Sequence, residues 1–401
     1  MIDPALDYAV QLRRRADAIA TLAVHAGEDP AGDGALDPAI VMSSAFAFQS
    51  TEHAARAFRG EEDAWIYGRW GNPTVTALEA KLAAIEGAES ACATASGMAA
   101  ISGAILALCE AGDHVVAPRS MYAESARLLR ERLPRLGITT TFVDGDAAAY
   151  AAAITDKTKL LYVETPANPT LAVVDLPAVV ALARDRGARV LADGTFATPF
   201  AQTPLAHGVD LVVHSVTKGL GGHGDVIAGA VLGARAMVDR VRDTVIKGFG
   251  GILAPHSAWL VARGLRTFAL RQERACATAA SLARTLASHP AVAIVHHPSL
   301  PSHPGHALAC KQMHAFGALL SFELRGGLDA GRRALERLKV ATHAVSLGDV
   351  RTLAIHPAST THSTMPAETR RLAGIGDGLI RVSVGIESEL ELIRDFGQAL
   401  E

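Results

Sequence analysis

Long apolar runs of strand length alternate with helical patterning through the middle of the chain. KLLYVET (159–165), ARVLADG (188–194) and VDLVVHSVTK (209–218) are nearly continuous apolar stretches, the signature of strands buried on both faces. DLPAVVALARDRG (175–187) lies between the first two and is predicted as a helix that stops at Gly187. Upstream, NPTVTALEAKLAAIEG (72–87) reads as an amphipathic helix beginning at Pro73-Thr74, and HVVAP (114–118) as a short strand. The uncharged stretch 91–109 consists mostly of Ala, Gly, Ser and Thr between Glu89 and Glu110. Such residues gain little from hydrocarbon, so the stretch is expected to be buried in the protein, with an apolar helix at 97–109, rather than to span a membrane. Beyond residue 256 the texture changes. Helices at 257–271 and 273–288 are followed by a strand at 316–324, a helix at 329–338 and a strand at 379–387. The pattern predicts an α/β fold: a mostly parallel central sheet with helices on both faces, plus a smaller C-terminal α+β domain. The expected divisions are an N-terminal arm (1–62) contacting a neighbouring subunit, a large domain (63–256) and the C-terminal domain (257–401). The arm combines a short basic helix with the loop GEDPAGDGALDP (27–38).

Composition narrows the function. A chain of 401 residues is too long for one ordinary core. Its net charge of −3 provides no basic field, so nucleic acid is not an expected partner. The four cysteines, Cys92, Cys109, Cys276 and Cys310, form no CxxC pair, which suits a reducing compartment. The first residues lack an apolar h-region, so a cytoplasmic location is expected and no membrane partner.

Ligands of largely parallel sheets bind outside the carboxyl ends of the strands, where Glu164, Asp193 and Lys218 are expected. In VDLVVHSVTKGLGGHGD (209–225), a buried strand delivers Ser215, Thr217 and Lys218 into a glycine-rich loop. Hydroxyls there suit phosphate, and a partly neutral lysine suits imine formation. A P-loop is excluded because its glycines precede the lysine, and here they follow it. By itself the segment leaves a Schiff-base lysine and an ordinary turn lysine both open. Asp193 is a carboxylate ending an apolar strand, costly to bury without a partner. A protonated pyridine nitrogen is such a partner, and a helix cap or turn is the plainer alternative. His303, His306, Cys310 and His314 have spacings compatible with metal ligation, but a Pro-rich loop entering a helix accounts for them equally, and no metal site is expected.

ETPANPT (164–170), ADGTFATP (192–199) and HSVTKGLGGHGD (214–225) together resemble the Cys/Met-metabolism family of pyridoxal-phosphate (PLP) enzymes, which includes cystathionine γ-synthase, cystathionine lyases, methionine γ-lyase and homoserine-ester sulfhydrylases. The resemblance extends, in order, to YGRWGNPT (67–74), ASGMAA (95–100), SLGDVRTLAIHPASTTH (346–362) and GLIRVSVGIE (378–387). It implies PLP fold type I (aspartate aminotransferase-like), with pyridoxal 5'-phosphate as cofactor. Lys218 would be the Schiff-base lysine and Asp193 the partner of the ring nitrogen. Gly97 and Met98 would offer backbone N–H groups to the phosphate at a helix start, with Ser215 and Thr217 adding hydroxyls. Tyr67 and Arg69 would reach that phosphate from another subunit, in a homotetramer built as a dimer of active-site-sharing dimers. Tyr122 would stack on the ring. Arg381 would grip the substrate carboxylate, helped by Asn168, Ser346 and Tyr67.

The resemblance further implies Lys218 as the base for the α and β protons and Tyr122 as the acid for the leaving group, given a phenol pKa lowered by cationic surroundings. Val345–Asp349 looks more like methionine γ-lyases and some sulfhydrylases, and the expected activity is that of a PLP-dependent carbon–sulfur lyase: γ-elimination from a sulfur amino acid, giving 2-oxobutyrate, ammonia and a thiol. Cystathionine cleavage and γ-replacement on an O-acyl homoserine are the alternatives, and a non-catalytic PLP-binding protein is the alternative of a different class. The chain departs from the family at Glu124, where methionine γ-lyases have cysteine, and at Gly248, Gly194 and Gly219, where Asp, Asn and Tyr are usual.

Overall fold

The computed structural model describes residues 1–3, 6–28, 34–363, 367–372 and 374–401. Residues 29–33 of the expected Gly/Asp/Pro loop lie outside that set.

Among the described residues, twelve strands form two sheets. β1 (Ser90–Thr94), β2 (His114–Pro118), β3 (Thr139–Val143), β4 (Thr158–Glu164), β5 (Arg189–Asp193), β6 (Leu211–His214) and β7 (Gly229–Gly233) make a seven-stranded sheet in the order β1-β7-β6-β5-β4-β2-β3. The stretch from β6 to β3 is parallel, and β7 runs antiparallel to both β1 and β6. The sequence β4, helix Leu176–Asp185, β5 forms the crossover that parallel pairing requires. Residues of β4, β5 and β6 are almost wholly buried, as their apolar runs predict. β8 (Val292–His296), β9 (Leu319–Leu324), β10 (Thr342–His343), β11 (Leu353–Ile355) and β12 (Leu379–Ser383) make a second, mostly antiparallel sheet in the order β10-β11-β12-β9-β8.

Local signals account for many boundaries. The helix Pro73–Glu86 begins with Asn72, whose side chain accepts the N–H of Thr74, and ends at Gly87 with φ 76°, a left-handed cap that glycine adopts without strain. The helix Leu176–Asp185 is capped by Asp175.

Three expectations need correction. The apolar helix expected at 97–109 is present as Gly97–Leu108, but Ser90–Thr94 before it form β1, where no strand was expected. Ala and Cys carry no strand signature of their own, but full pairing with β7 overrides that weak propensity. The helices expected at 257–271 and 273–288 divide earlier, as Pro255–Leu265 and Phe268–Ala287. The basic helix of the N-terminal segment is also longer than its short polar pattern suggests, Tyr8–His25, and buries Leu12, Ala16, Ile19 and Ala23 in the same core as Phe268 and Ala275. Among the described residues, no helix is long and apolar enough to cross a membrane.

Candidate active site

The carboxyl ends of β4, β5 and β6 converge as the strand pattern predicts. Glu164 and Asp193 face each other in register at the ends of β4 and β5, and β6 ends at His214, four residues before Lys218. Lys218 therefore sits in the following turn, where its N–H bonds to the Ser215 carbonyl and its own carbonyl accepts from Gly222.

The second sheet supplies the opposite wall. Lys218 Nζ donates to Ser346 Oγ at 2.7 Å. Arg381, on β12, donates through Nη2 to the Ser346 carbonyl at 2.9 Å and through Nη1 to Asn168 Oδ1 at 3.1 Å. Ser346 holds φ 93°, a conformation rare outside glycine. The adjoining Gly348 allows this segment to close on Lys218, since a β-carbon there would lie 2.3 Å from the Gly219 nitrogen. Arg271 braces the glycine loop by donating to the carbonyls of Gly219 and Leu220.

A buried carboxylate that was expected at the strand ends but given no role ties this cluster together. Glu164 accepts the Tyr122 N–H at 2.8 Å and the Asn168 N–H at 2.9 Å. Burial, then the neighbouring Asp193, pushes Glu164 up to about 8, while the two amides pull it down. The sequence signal was its position at the end of a buried strand beside Asp193. Asp193 accepts the Thr195 N–H at 2.9 Å and the Tyr162 hydroxyl at 3.4 Å. Burial raises its proton affinity, and the Thr195 contacts oppose that. Lys218 is lowered by burial and by the charge of Arg381, which favours its neutral form. Burial likewise lowers Arg381, to about 10.

At the helix Gly97–Leu108, Ser96 caps the N–H of Ala99, so Gly97 and Met98 begin the turn. Such first-turn N–H groups have no carbonyl partner within the helix and attract anions. Ser215 lies directly against this turn: a β-carbon at residue 97 would sit 2.7 Å from Ser215 Cβ. Gly97→Ala is thus expected to weaken PLP binding about 10- to 100-fold, the equivalent of roughly 1–3 kcal/mol of overpacking, checked by titrating apoprotein with PLP. Thr217 already exchanges hydrogen bonds with Ala228, donating to its carbonyl and accepting its N–H.

Tyr122 precedes the short helix Ala123–Arg127 and is 42% exposed, leaving a ring face open for stacking. The expected lowering of its phenol pKa is contradicted. Burial raises it, with Glu124, Glu164 and Asp193 acting in the same direction and Arg381 alone opposing. Tyr67 and Arg69 make their contacts away from Lys218: Arg69 donates to the Lys247 carbonyl and packs on Tyr67, whose ring meets Trp70. Glu124 is half exposed, 3.9 Å from Arg127. His306 and His314 bond to the Pro298 carbonyl and the Thr203 hydroxyl respectively, and the described residues contain no group of three or more potential metal ligands.

The residues present fit PLP. A glycine-started helix packs against Ser215, the Asp193 carboxylate is buried at the end of β5, and the part-buried amine of Lys218 follows β6. Among the described residues Arg381 Nε is buried without a partner, a donor suited to an incoming carboxylate. These features define an α/β enzyme of the PLP-dependent class. The chain belongs to the Cys/Met metabolism family of PLP-dependent enzymes, whose model matches residues 20–401. It is 46% identical over 386 residues to an L-methionine gamma-lyase of Fusobacterium nucleatum subsp. polymorphum, covering 96% of this chain and 98% of the relative. An L-methionine gamma-lyase of Pseudomonas putida is 44% identical, with 95% and 97% covered. An O-succinylhomoserine sulfhydrylase of Pseudomonas aeruginosa is 39% identical, with 95% and 94% covered. The crystal structure of metB from Corynebacterium glutamicum superposes with a TM-score of 0.90 at 37% identity, covering 95% of this chain and 97% of that one.

Proposed function

We propose that this enzyme catalyses γ-elimination from a sulfur amino acid, methionine first, yielding 2-oxobutyrate, ammonia and a thiol. The observation that carries the reading is the chain Lys218–Ser346–Arg381–Asn168, which joins a partly neutral amine to a guanidinium with a free donor. The identities of 46% and 44% to methionine γ-lyases, against 39% to the sulfhydrylase, support elimination over replacement.

Bound PLP supplies an electron sink for the pair left when the α proton departs. Gly97, Met98, Ser215 and Thr217 would bind its phosphate, Asp193 would face its ring nitrogen, and Tyr122 would stack on its ring. Arg381 and Asn168 hold the substrate carboxylate, fixing the α C–H toward Lys218 Nζ. That amine would take the α proton, pass it to the bound cofactor and, neutral again, take a β proton, with Ser346 Oγ orienting it. The Tyr122 phenol donates a proton to the departing sulfur. Its raised pKa suits this role, because the acid form persists to higher pH. Tyr122→Phe is expected to lower kcat about 10²-fold with little change in KM and to remove the alkaline limb of the rate–pH profile.

Tyr67 and Arg69 complete the phosphate site of a neighbouring subunit, in a homotetramer of two active-site-sharing dimers. Trp65, Tyr67, Ile227 and Phe249 are exposed large apolar residues consistent with coverage by another copy. Residues 1–62, 63–256 and 257–401 act as arm, cofactor domain and C-terminal domain of a cytoplasmic enzyme.

A substrate panel tests the reaction. Methionine, cystathionine, homocysteine and O-acyl homoserines with and without thiol are scored for 2-oxobutyrate, pyruvate and released thiol. Thioether formation from an ester without 2-oxobutyrate from any sulfur amino acid would replace elimination by γ-replacement. A spectral change without product would leave a PLP-binding protein that does not turn over.

A further inference from the structure

The second sheet has one apolar face and one that meets the site. Leu320, Phe322 and Leu324 of β9, with Ile380 and Val382 of β12, pack in one core with Leu282 and Leu286 of the helix Phe268–Ala287. Alternation along a strand sends the intervening residues to the opposite face. There Ser321 stands directly across from Arg381, and Ser383 directly across from Leu319, so the Ser321 and Arg381 side chains rise next to each other. Ser321 is fully buried, and the proposed reaction assigns it no part. A buried hydroxyl is costly unless it is hydrogen-bonded, so its partner is informative.

That partner belongs to the loop after β4 that carries Asn168. Ser321 Oγ donates to the Pro169 carbonyl at 2.7 Å. The Asn168 turn is thereby held at three points: its N–H by Glu164, its side chain by Arg381, and the carbonyl of the next residue by Ser321. The same sheet face also holds the segment that reaches Lys218, because Ser383 Oγ accepts the Gly348 N–H at 2.7 Å. Leu319 adds an apolar contact with Leu171 and Leu347, one from each of these two segments. Arg381 and Ser321 therefore grip neighbouring residues of one turn from neighbouring strands.

We propose that Ser321 is a positioning residue that sets the Asn168 side chain against Arg381, and so fixes the geometry of the substrate-carboxylate site. This rests on the reading of Arg381 and Asn168 as that site.

The test uses holoenzyme with methionine and with the methionine-derived amine that lacks the carboxylate, and reads exchange of the α proton with solvent deuterium. Ser321→Ala is expected to lower kcat/KM for methionine about 5- to 10-fold, mainly through KM, as for the loss of one neutral hydrogen bond. Exchange of the amine is expected to stay at the wild-type rate. Ser321→Cys, which keeps the shape but offers only a weak donor, is expected to act in the same direction and serves if the alanine variant does not fold. In an Asn168→Ala background, Ser321→Ala is expected to change the methionine-to-amine ratio no further, since the two residues act as one unit. A variant that slows both substrates alike, or neither, overturns the proposal and leaves the hydroxyl a packing element. Asn168→Ala alone separates the two readings. If it keeps the wild-type ratio, Asn168 is not part of the carboxylate site and both fall; if it lowers the ratio and Ser321→Ala does not, only the role of Ser321 falls.

Discussion

Lys218→Ala is expected to form 2-oxobutyrate from methionine at least about 10³-fold more slowly than the wild type, within the range for loss of a positioned base. One amine serves two successive proton transfers in the proposed reaction, so its removal affects both. The geometry explains why no neighbour substitutes. Nζ is 2.7 Å from Ser346 Oγ, and burial together with the charge of Arg381 favours the neutral amine. Glu164 is turned away, its oxygens occupied by the amides of Tyr122 and Asn168. The check is exchange of the methionine α proton with solvent deuterium, read separately from thiol release. Wild-type exchange in the alanine variant would remove Lys218 from the role of base, whatever happens to turnover. Added methylamine is expected to restore part of the exchange, since a small amine fits the vacated space.

Arg381→Leu is expected to lower kcat/KM for methionine by about 30- to 3,000-fold, the equivalent of roughly 2–5 kcal/mol for losing one side of a buried charged hydrogen-bonded pair. Arg381 is buried between Asn168 Oδ1 and the Ser346 carbonyl, with Nε unpaired. The comparison substrate is the methionine-derived amine that lacks the carboxylate. Wild-type enzyme should discriminate strongly against it, and the leucine variant should treat both amines nearly alike. Retained discrimination would assign carboxylate recognition to another group. Arg381→Lys preserves charge but not the two-pronged donor geometry, so its recovery is expected to be partial. A pH effect follows as well. The charge of Arg381 lowers Lys218, which raises the neutral fraction of the amine at a given pH. Without that charge Lys218 rises, and the acid limb of the rate–pH profile should move to higher pH.

Much of the proposed cofactor site was legible in the sequence because its parts are local. A carboxylate ending an apolar strand, a lysine entering a glycine loop and a glycine opening a helix each have a short-range signature, and their order matched a known family. The errors came where non-local pairing decided the outcome. β1 was hidden in an alanine-rich stretch that only pairing with β7 makes extended. The phenol of Tyr122 was expected to be lowered by cations, yet Glu124, Glu164 and Asp193 surround it in the fold. Glu164 and His214 were visible as residues but not as contacts, because their partners lie on other elements.

Taken alone, then, the sequence determined which residue types stand at strand ends and helix starts, since alternation, capping and glycine placement act over a few residues. It thereby determined the fold class and the cofactor. Tertiary structure decided what those residues do to one another. Ser346 reaches Lys218, and Arg381 reaches Asn168 across 213 positions of chain, because β12 and the segment between β10 and β11 meet the loops that follow β4 and β6. Burial and neighbouring charge, which set the protonation of Lys218, Tyr122 and Glu164, exist only once that packing has excluded water.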